Sequence, residues 1–317
     1  MLRRMVAFGL LTSVCLGAVT AASAAPRAQK SISAVESLVA SAVKDSKAPS
    51  TYNPPLTDFV PGANLSGEGT LKGCDAYGST KEIDDPLPCV DGNPHGTKVV
   101  VLVGDSNVGN WSPGLSLGLA KTQYKLDVFS FAGCPTSDIK YSSKDYIGTS
   151  PSSCNNWHQN VITEIKKLSP VAIVTASSGI GTQYDPTTWE NGYNTLFLQG
   201  SGGRSSVKRI VIGTSPYFPT PPPTCLSLHP STPLECLLMT STSTIVGPYS
   251  TYAIRDAAVA KASKATLIST SSLFCYDGKC PSEVAGTVTF VDNDHVSTAY
   301  ADKISGPLTS ALLAALK

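Results

Sequence analysis

Charge is scarce in this sequence. Only 15% of the 317 residues are charged, and 24 Lys and Arg against 23 Asp and Glu leave a formal net charge of +1. With no basic run either, electrostatics offers no footing for nucleic acid or another polyanion. Histidine is also sparse, at four, and none of the nine cysteines stands in the tight C-x-x-C or His-rich spacing that would hold zinc. No metal and no cofactor is therefore expected. Past the first 25 residues no stretch is long and apolar enough to span a bilayer, and no internal repeat occurs.

What is present begins with MLRRMVAFGLLTSVCLGAVTAASAA. A basic start, an apolar middle and a small-residue end make the layout of a secretory signal peptide, with Ala22-Ser23-Ala24 as its cleavage site. An uncleaved membrane tether is the alternative. The expected organisation is a signal peptide over 1–24, a Ser/Ala/Pro-rich lead-in or tether over 25–70 and one domain over 71–317. The protein is expected to be secreted or periplasmic. Outside the leader stand eight cysteines, an even number that in an exported chain reads as disulfides. They fall in four sequential couples: Cys74 with Cys89, Cys134 with Cys154, Cys225 with Cys236, and Cys275 with Cys280. In the last couple Asp277-Gly278 is a hairpin-turn dipeptide able to bring its flanks together.

From residue 98 the pattern changes. Short β-branched runs at 99–103, 126–131, 171–175, 209–213 and 266–270 alternate with helical spacing at 114–121, 156–168, 188–199, 251–264 and 297–316. Continuous apolar strands alternating with helices argue a five-stranded parallel sheet covered on both faces, a three-layer α/β/α fold. In the last helix Val296, Tyr300, Ile304, Leu308, Leu312 and Leu316 form one stripe, which Gly306-Pro307 should kink or split. The proline-rich 214–250 reads as a long surface loop tied by Cys225 and Cys236.

Ligands of open parallel sheets bind beyond the carboxyl ends of the strands. The run VVVLVGDSNVGNW delivers Ser106 to that edge, three residues past the first strand. By itself this is an ordinary strand exit, because a serine hydroxyl needs a base and the base needs a partner to fix its tautomer. VDNDHVSTAY provides both: Asp292 precedes His295 by three residues, where it can reach Nδ1 and leave Nε2 free. No other histidine has an acid at that spacing, since His95, His158 and His229 have Gly92, Asn155 and Leu226 there. Asp294 is a second candidate orienter. Trp111 and Trp157 read as packing residues; Tyr217 and Phe218, after the fourth strand, read as substrate contacts.

Taken together, these motifs resemble the SGNH (GDSL-like) hydrolases, and more closely the SGNH domains of bacterial envelope O-acyltransferases linked to acyltransferase family 3 membrane domains. The shared features include Cys74 and Cys89 before the first strand, VVLVGDS followed by Trp111, Gly133-Cys134-Pro135, Cys154-x-x-Trp157, the Cys275/Cys280 hairpin and VDNDHVSTAYADKI. The resemblance implies a flavodoxin-like SGNH fold with Ser106 as nucleophile, His295 as general base and acid, and Asp292 as its orienter. It places the oxyanion hole at the backbone N–H groups of Ser106 and Gly133. Asp105 would brace the turn. Two departures stand out. The asparagine many members carry after the third strand is replaced by VTASSGIG, where Ser177 or Ser178 could donate instead. Asn107, which could touch substrate, stands where the envelope domains often have His.

The implied function is a secreted serine O-acyltransferase or esterase acting on acyl esters, acetyl above all, of cell-envelope glycans. A transferase would need a membrane acyltransferase as partner to supply acyl groups. The alternatives are a simple carbohydrate esterase or lipase-like hydrolase acting on an acylated small molecule, and a non-catalytic glycan-binding protein on a degenerate fold.

Overall fold

The computed structural model describes residues 34–317, apart from 61–62, 64, 68–70, 72–73, 146, 179–183 and 245–246. The expected signal peptide and its expected cleavage site lie outside the described residues. The central sheet has six strands: β1 (Cys89–Gly92), β2 (Lys98–Gly104), β3 (Tyr124–Ser130), β4 (Ala172–Ala176), β5 (Lys208–Ile212) and β6 (Thr266–Ile268). Their spatial order is β1-β3-β2-β4-β5-β6. β2 to β6 are parallel, with Leu102 of β2 lying between Val128 of β3 and Val174 of β4. These are the five expected strands.

β1 is an addition to that expectation and runs antiparallel to β3, Cys89 opposite Val128. Its sequence, CVDG, is short, only partly buried and carries an acid, so no run of apolar residues announces it. An edge strand needs no second apolar face.

In β2 the alternation of the strand sends Val100 and Leu102 to one face and Val101 and Val103 to the other, and all four are fully buried. Helices α1 (Ala34–Ala42), α2 (Val108–Leu119) and α6 (Thr298–Ala315) cover the first face. The second is covered by α3 (Pro151–Leu168), α4 (Pro186–Gly200) and the end of α5 (Tyr249–Ala262). The three layers are thus complete.

Two expectations change. The last helix is not split at Gly306-Pro307: α6 runs unbroken with Pro307 inside it. Its stripe of Tyr300, Ile304, Leu308 and Leu312 is wholly buried in the core it shares with α2. That burial offsets the roughly 3 kcal/mol an interior proline costs. The described part of the lead-in is built into the domain rather than hanging from it. Val35 and Val39 of α1 join the core beside α6, while Asn53 exchanges backbone hydrogen bonds with Gly286 and Val288.

All four sequential cysteine couples are disulfides, with Cα–Cα separations of 5.6, 5.4, 5.7 and 4.1 Å in chain order. Across Asp277-Gly278, Tyr276 and Lys279 exchange two backbone hydrogen bonds and close the small hairpin. The proline-rich loop folds a short helix, Pro222–Leu228, whose Leu226 packs with Cys236 and Val288. No described helix is long and apolar enough to cross a membrane.

Candidate active site

The sheet order reverses direction between β2 and β4, and the chain leaves the two strands side by side at their carboxyl ends. Such a switch point is where a crevice opens. Gly104 ends β2 there because nothing larger fits: a Cβ would sit 1.9 Å from the Ala176 carbonyl oxygen. The next residue, Asp105, is buried and accepts four hydrogen bonds. One comes from the Asn107 N–H at 2.9 Å, and three come from Ser177 Oγ, Ser178 N and Ser178 Oγ at 2.8–2.9 Å. Burial raises its carboxyl above the usual range, and these donors offset part of the rise. Asp105 therefore pins the turn after β2 to the loop after β4. Between buried Asp105 and buried Asn107, Ser106 is partly exposed at the mouth of the turn.

The partner loop lies just before α6. Phe290 and Val296 bridge its ends, and the Val291 N–H donates to the His295 carbonyl at 2.8 Å. Asp292 Oδ1 accepts from the backbone N–H groups of Asp294 (3.0 Å) and His295 (2.8 Å), which leaves Oδ2 facing His295 Nδ1 at 2.7 Å. With Nδ1 donating to a carboxylate, Nε2 carries the lone pair, and Ser106 Oγ lies 2.8 Å from it. A hydroxyl proton can pass to the imidazole, and the resulting imidazolium is stabilised by Asp292. Burial pushes the Asp292 carboxyl up, but the hydrogen bonds and charge of His295 outweigh it, and it titrates below the usual range.

Asp294 is the weaker orienter. Its Oδ1 stands 3.6 Å from Nδ1, and Oδ2 accepts from Asn107 Nδ2 at 3.4 Å. Burial and the neighbouring Asp292 hold its carboxyl above the usual range. Tyr217 is partly buried near this pair; burial and then the charges of Asp294 and Asp292 raise its phenol.

Several expected substrate contacts are structural instead. Asn107 is 1% exposed, and its Oδ1 accepts from Asn110 and Ser215. Ser177 and Ser178 are buried donors to Asp105 rather than free donors for an oxyanion. Phe218 packs on Phe290, and its backbone pairs with Asn293 through two bonds of 2.7 Å. Trp111 stacks edge-on against Phe274, and Trp157 against Phe131, both as packing residues. Gly133 follows β3 at φ +76, pressed so closely on Gly148 that a Cβ would lie 2.5 Å from its carbonyl carbon. The Cys134–Cys154 disulfide ties this turn to α3.

Asn110 is a residue the sequence did not single out. It stands one helical turn past Ser106 and bonds to the Asp294 carbonyl and the Val296 N–H. Among the described residues, two groups of side chains bring metal-type donor atoms within 4.8 Å of one another. In Cys134, Cys154 and His158 the sulfurs are bonded to each other; in the second group Asp292 and His295 bond to each other and Asp294 accepts from Asn107.

An α/β/α sheet of this order, with Ser106, His295 and Asp292 hydrogen-bonded in line at its switch point, is the arrangement of an SGNH-type domain. The chain belongs to the family described as SGNH domain (fused to AT3 domains), whose model matches residues 74–309. Among solved structures it is similar to the periplasmic domain of the lipopolysaccharide acetyltransferase of Salmonella ser. Paratyphi A. That match has 18% identity and a TM-score of 0.54, covering 70% of this chain and 86% of that one. It is also similar to the aryl esterase of M. smegmatis (14%, TM-score 0.44, 69% and 99% covered) and to Est24, a carbohydrate acetylesterase from Sinorhizobium meliloti (13%, 0.44, 69% and 99%). No curated protein sequence matches.

Proposed function

We propose that this chain is an exported serine enzyme that moves acyl groups, acetyl above all, between esters and the hydroxyls of cell-envelope glycans through an acyl-Ser106 intermediate. The observation that carries the reading is the unbroken relay from Ser106 Oγ to His295 Nε2 (2.8 Å) and from His295 Nδ1 to Asp292 Oδ2 (2.7 Å).

In the first half-reaction Ser106 Oγ attacks the ester carbonyl carbon while its proton passes to His295 Nε2. The carbonyl oxygen becomes an oxyanion, for which the N–H groups of Ser106 and Gly133 are the proposed donors; one such donor is typically worth about 3–4 kcal/mol. The C–O bond to the alcohol then breaks, and Nε2 returns the proton to the leaving oxygen. In the second half a hydroxyl gives its proton to Nε2 and attacks the acyl carbon; the bond from that carbon to Ser106 Oγ breaks, and Nε2 returns the proton to Oγ. A sugar hydroxyl makes the enzyme a transferase and water makes it an esterase.

Two facts favour transfer to a glycan. The family's SGNH domains are fused to AT3 domains, and a similar structure belongs to a lipopolysaccharide acetyltransferase. A membrane acyltransferase is the proposed source of acyl groups. Four disulfides support an oxidising compartment outside the cytoplasm.

Labelling with an active-site-directed phosphonate tests the nucleophile: wild type is expected to react and Ser106→Ala is not. If wild type stays unlabelled, or both label equally, the assignment fails. A chromogenic acetyl ester offered with and without oligosaccharide acceptors tests the rest. Acetylated oligosaccharide is the expected product, and release of free acetate alone at every acceptor concentration would overturn the transferase reading.

A further inference from the structure

We propose, resting on the catalytic reading above, that Asn110 is the positioning residue that sets the distance between Ser106 and His295. Asn110 lies in the first turn of α2, four residues past Ser106, and is 1% exposed. Its Oδ1 accepts from the Val296 N–H at 2.8 Å, and its Nδ2 lies 2.9 Å from the Asp294 carbonyl oxygen. A single planar amide thus bonds the peptide groups on both sides of His295, much as a neighbouring strand would.

The bonds within the 290–296 loop, from Asp292 to its own following residues and from Val291 to His295, give that loop its shape. They do not fix where it stands relative to the nucleophile. Asn110 makes two bonds that cross from the loop to α2, and so it refers the imidazole to the helix that begins two residues after Ser106. Nδ2 also lies 2.9 Å from Asn107 Oδ1 and 2.9 Å from Ser215 Oγ, and the Ser215 hydroxyl reaches Asn107 Oδ1 at 3.2 Å. Through Ser215 the loop after β5 joins the same node.

The geometry explains why asparagine stands here. The position needs a donor and an acceptor in one short plane: aspartate lacks the donor, and glutamine is a methylene too long. Relay geometry is demanding, because a misplacement of about 1 Å can cost on the order of 100-fold in rate.

The test measures kcat and KM on a chromogenic acetyl ester, together with the rate of phosphonate labelling, for folded wild type, Asn110→Ala, Asn110→Asp and Ser112→Ala. Ser112 is the control: it is equally buried on the same helix, and its hydroxyl has no hydrogen-bond partner among the described residues. Asn110→Ala is expected to lower kcat and the labelling rate together by about 100-fold, with KM within about threefold of wild type. Asn110→Asp keeps the shape and the acceptor for Val296 but loses the donor, and a loss of about tenfold is expected. Ser112→Ala should match wild type.

The inference is overturned if the folded Asn110 variants keep kcat within about twofold, if KM rises while kcat holds, or if Ser112→Ala falls as far. Should Asn110→Ala not fold, the isosteric Asn110→Asp decides by the same criteria. Wild type that fails to label at Ser106 marks the failure of the catalytic reading itself. A labelled wild type beside unaffected Asn110 variants overturns this inference alone.

Discussion

Two carboxylates stand near His295, and distance separates their roles. Asp292 Oδ2 is 2.7 Å from Nδ1 and Asp294 Oδ1 is 3.6 Å away, beyond a hydrogen bond. Asp292→Asn is therefore expected to lower kcat by on the order of 1,000- to 10,000-fold by releasing the tautomer. Asp294→Asn should cost less than about tenfold, because it holds Asn107 rather than the ring. Steady-state rates for the two variants on one ester substrate check the assignment. The relay was legible in the sequence because D-x-x-H is a local spacing and Gly-Asp-Ser follows an obvious strand. In the sequence Asn107 and Phe218 look like substrate contacts and Ser177 and Ser178 like oxyanion donors, because their partners, Ser215, Asn293 and Asp105, lie far along the chain. Asn110 carries no sequence signal beyond its place one turn after Ser106.

At the scale of elements, α3 carries the least expected chemistry. His158 is wholly buried beside the Cys134–Cys154 disulfide, and desolvation drives its imidazole down to about 4, with a bond to the Pro135 backbone working the other way. A histidine whose folded pKa is depressed favours the native state only while neutral. Its contribution is present above the unfolded value of 6.5 and is lost as pH falls toward about 4. Melting temperatures measured across that window should fall for wild type and fall less for His158→Leu; equal slopes would show that His158 is not the group responsible. The same disulfide ties the Gly133 turn to α3. Replacing Cys134 and Cys154 together by serine is expected to cost about 2–5 kcal/mol of stability, read by denaturant titration, and to lower kcat as the turn loosens. Among the elements, parallel strands were legible because burial on both faces writes continuous Val and Ile runs. β1 was not, since an edge strand needs no such run, and no split occurs at Pro307 because local propensity gives way to a fully buried stripe.

For the whole molecule, composition and alternation were enough to set the class: three layers around a central, mostly parallel sheet. What they left open was how the pieces outside the sheet are used. Residues 34–58 looked like spacer because they are rich in small and polar residues, yet Val35 and Val39 complete the core beside α6. The order β3-β2-β4 brings Ser106 to the point where the sheet reverses, and the 290–296 loop reaches back over the same edge. A relay assembled from residues 189 positions apart depends on that arrangement of the whole chain.

The most direct measurement of the central claim is the acyl-enzyme itself. Wild type and Ser106→Ala are mixed with an activated acetyl ester, quenched in acid during turnover and mapped by peptide mass. Acetyl is expected on the peptide containing Ser106 in wild type and nowhere in Ser106→Ala, which should not turn over. Turnover of the ester with Ser106 unmodified, or an undiminished rate in Ser106→Ala, would contradict the account.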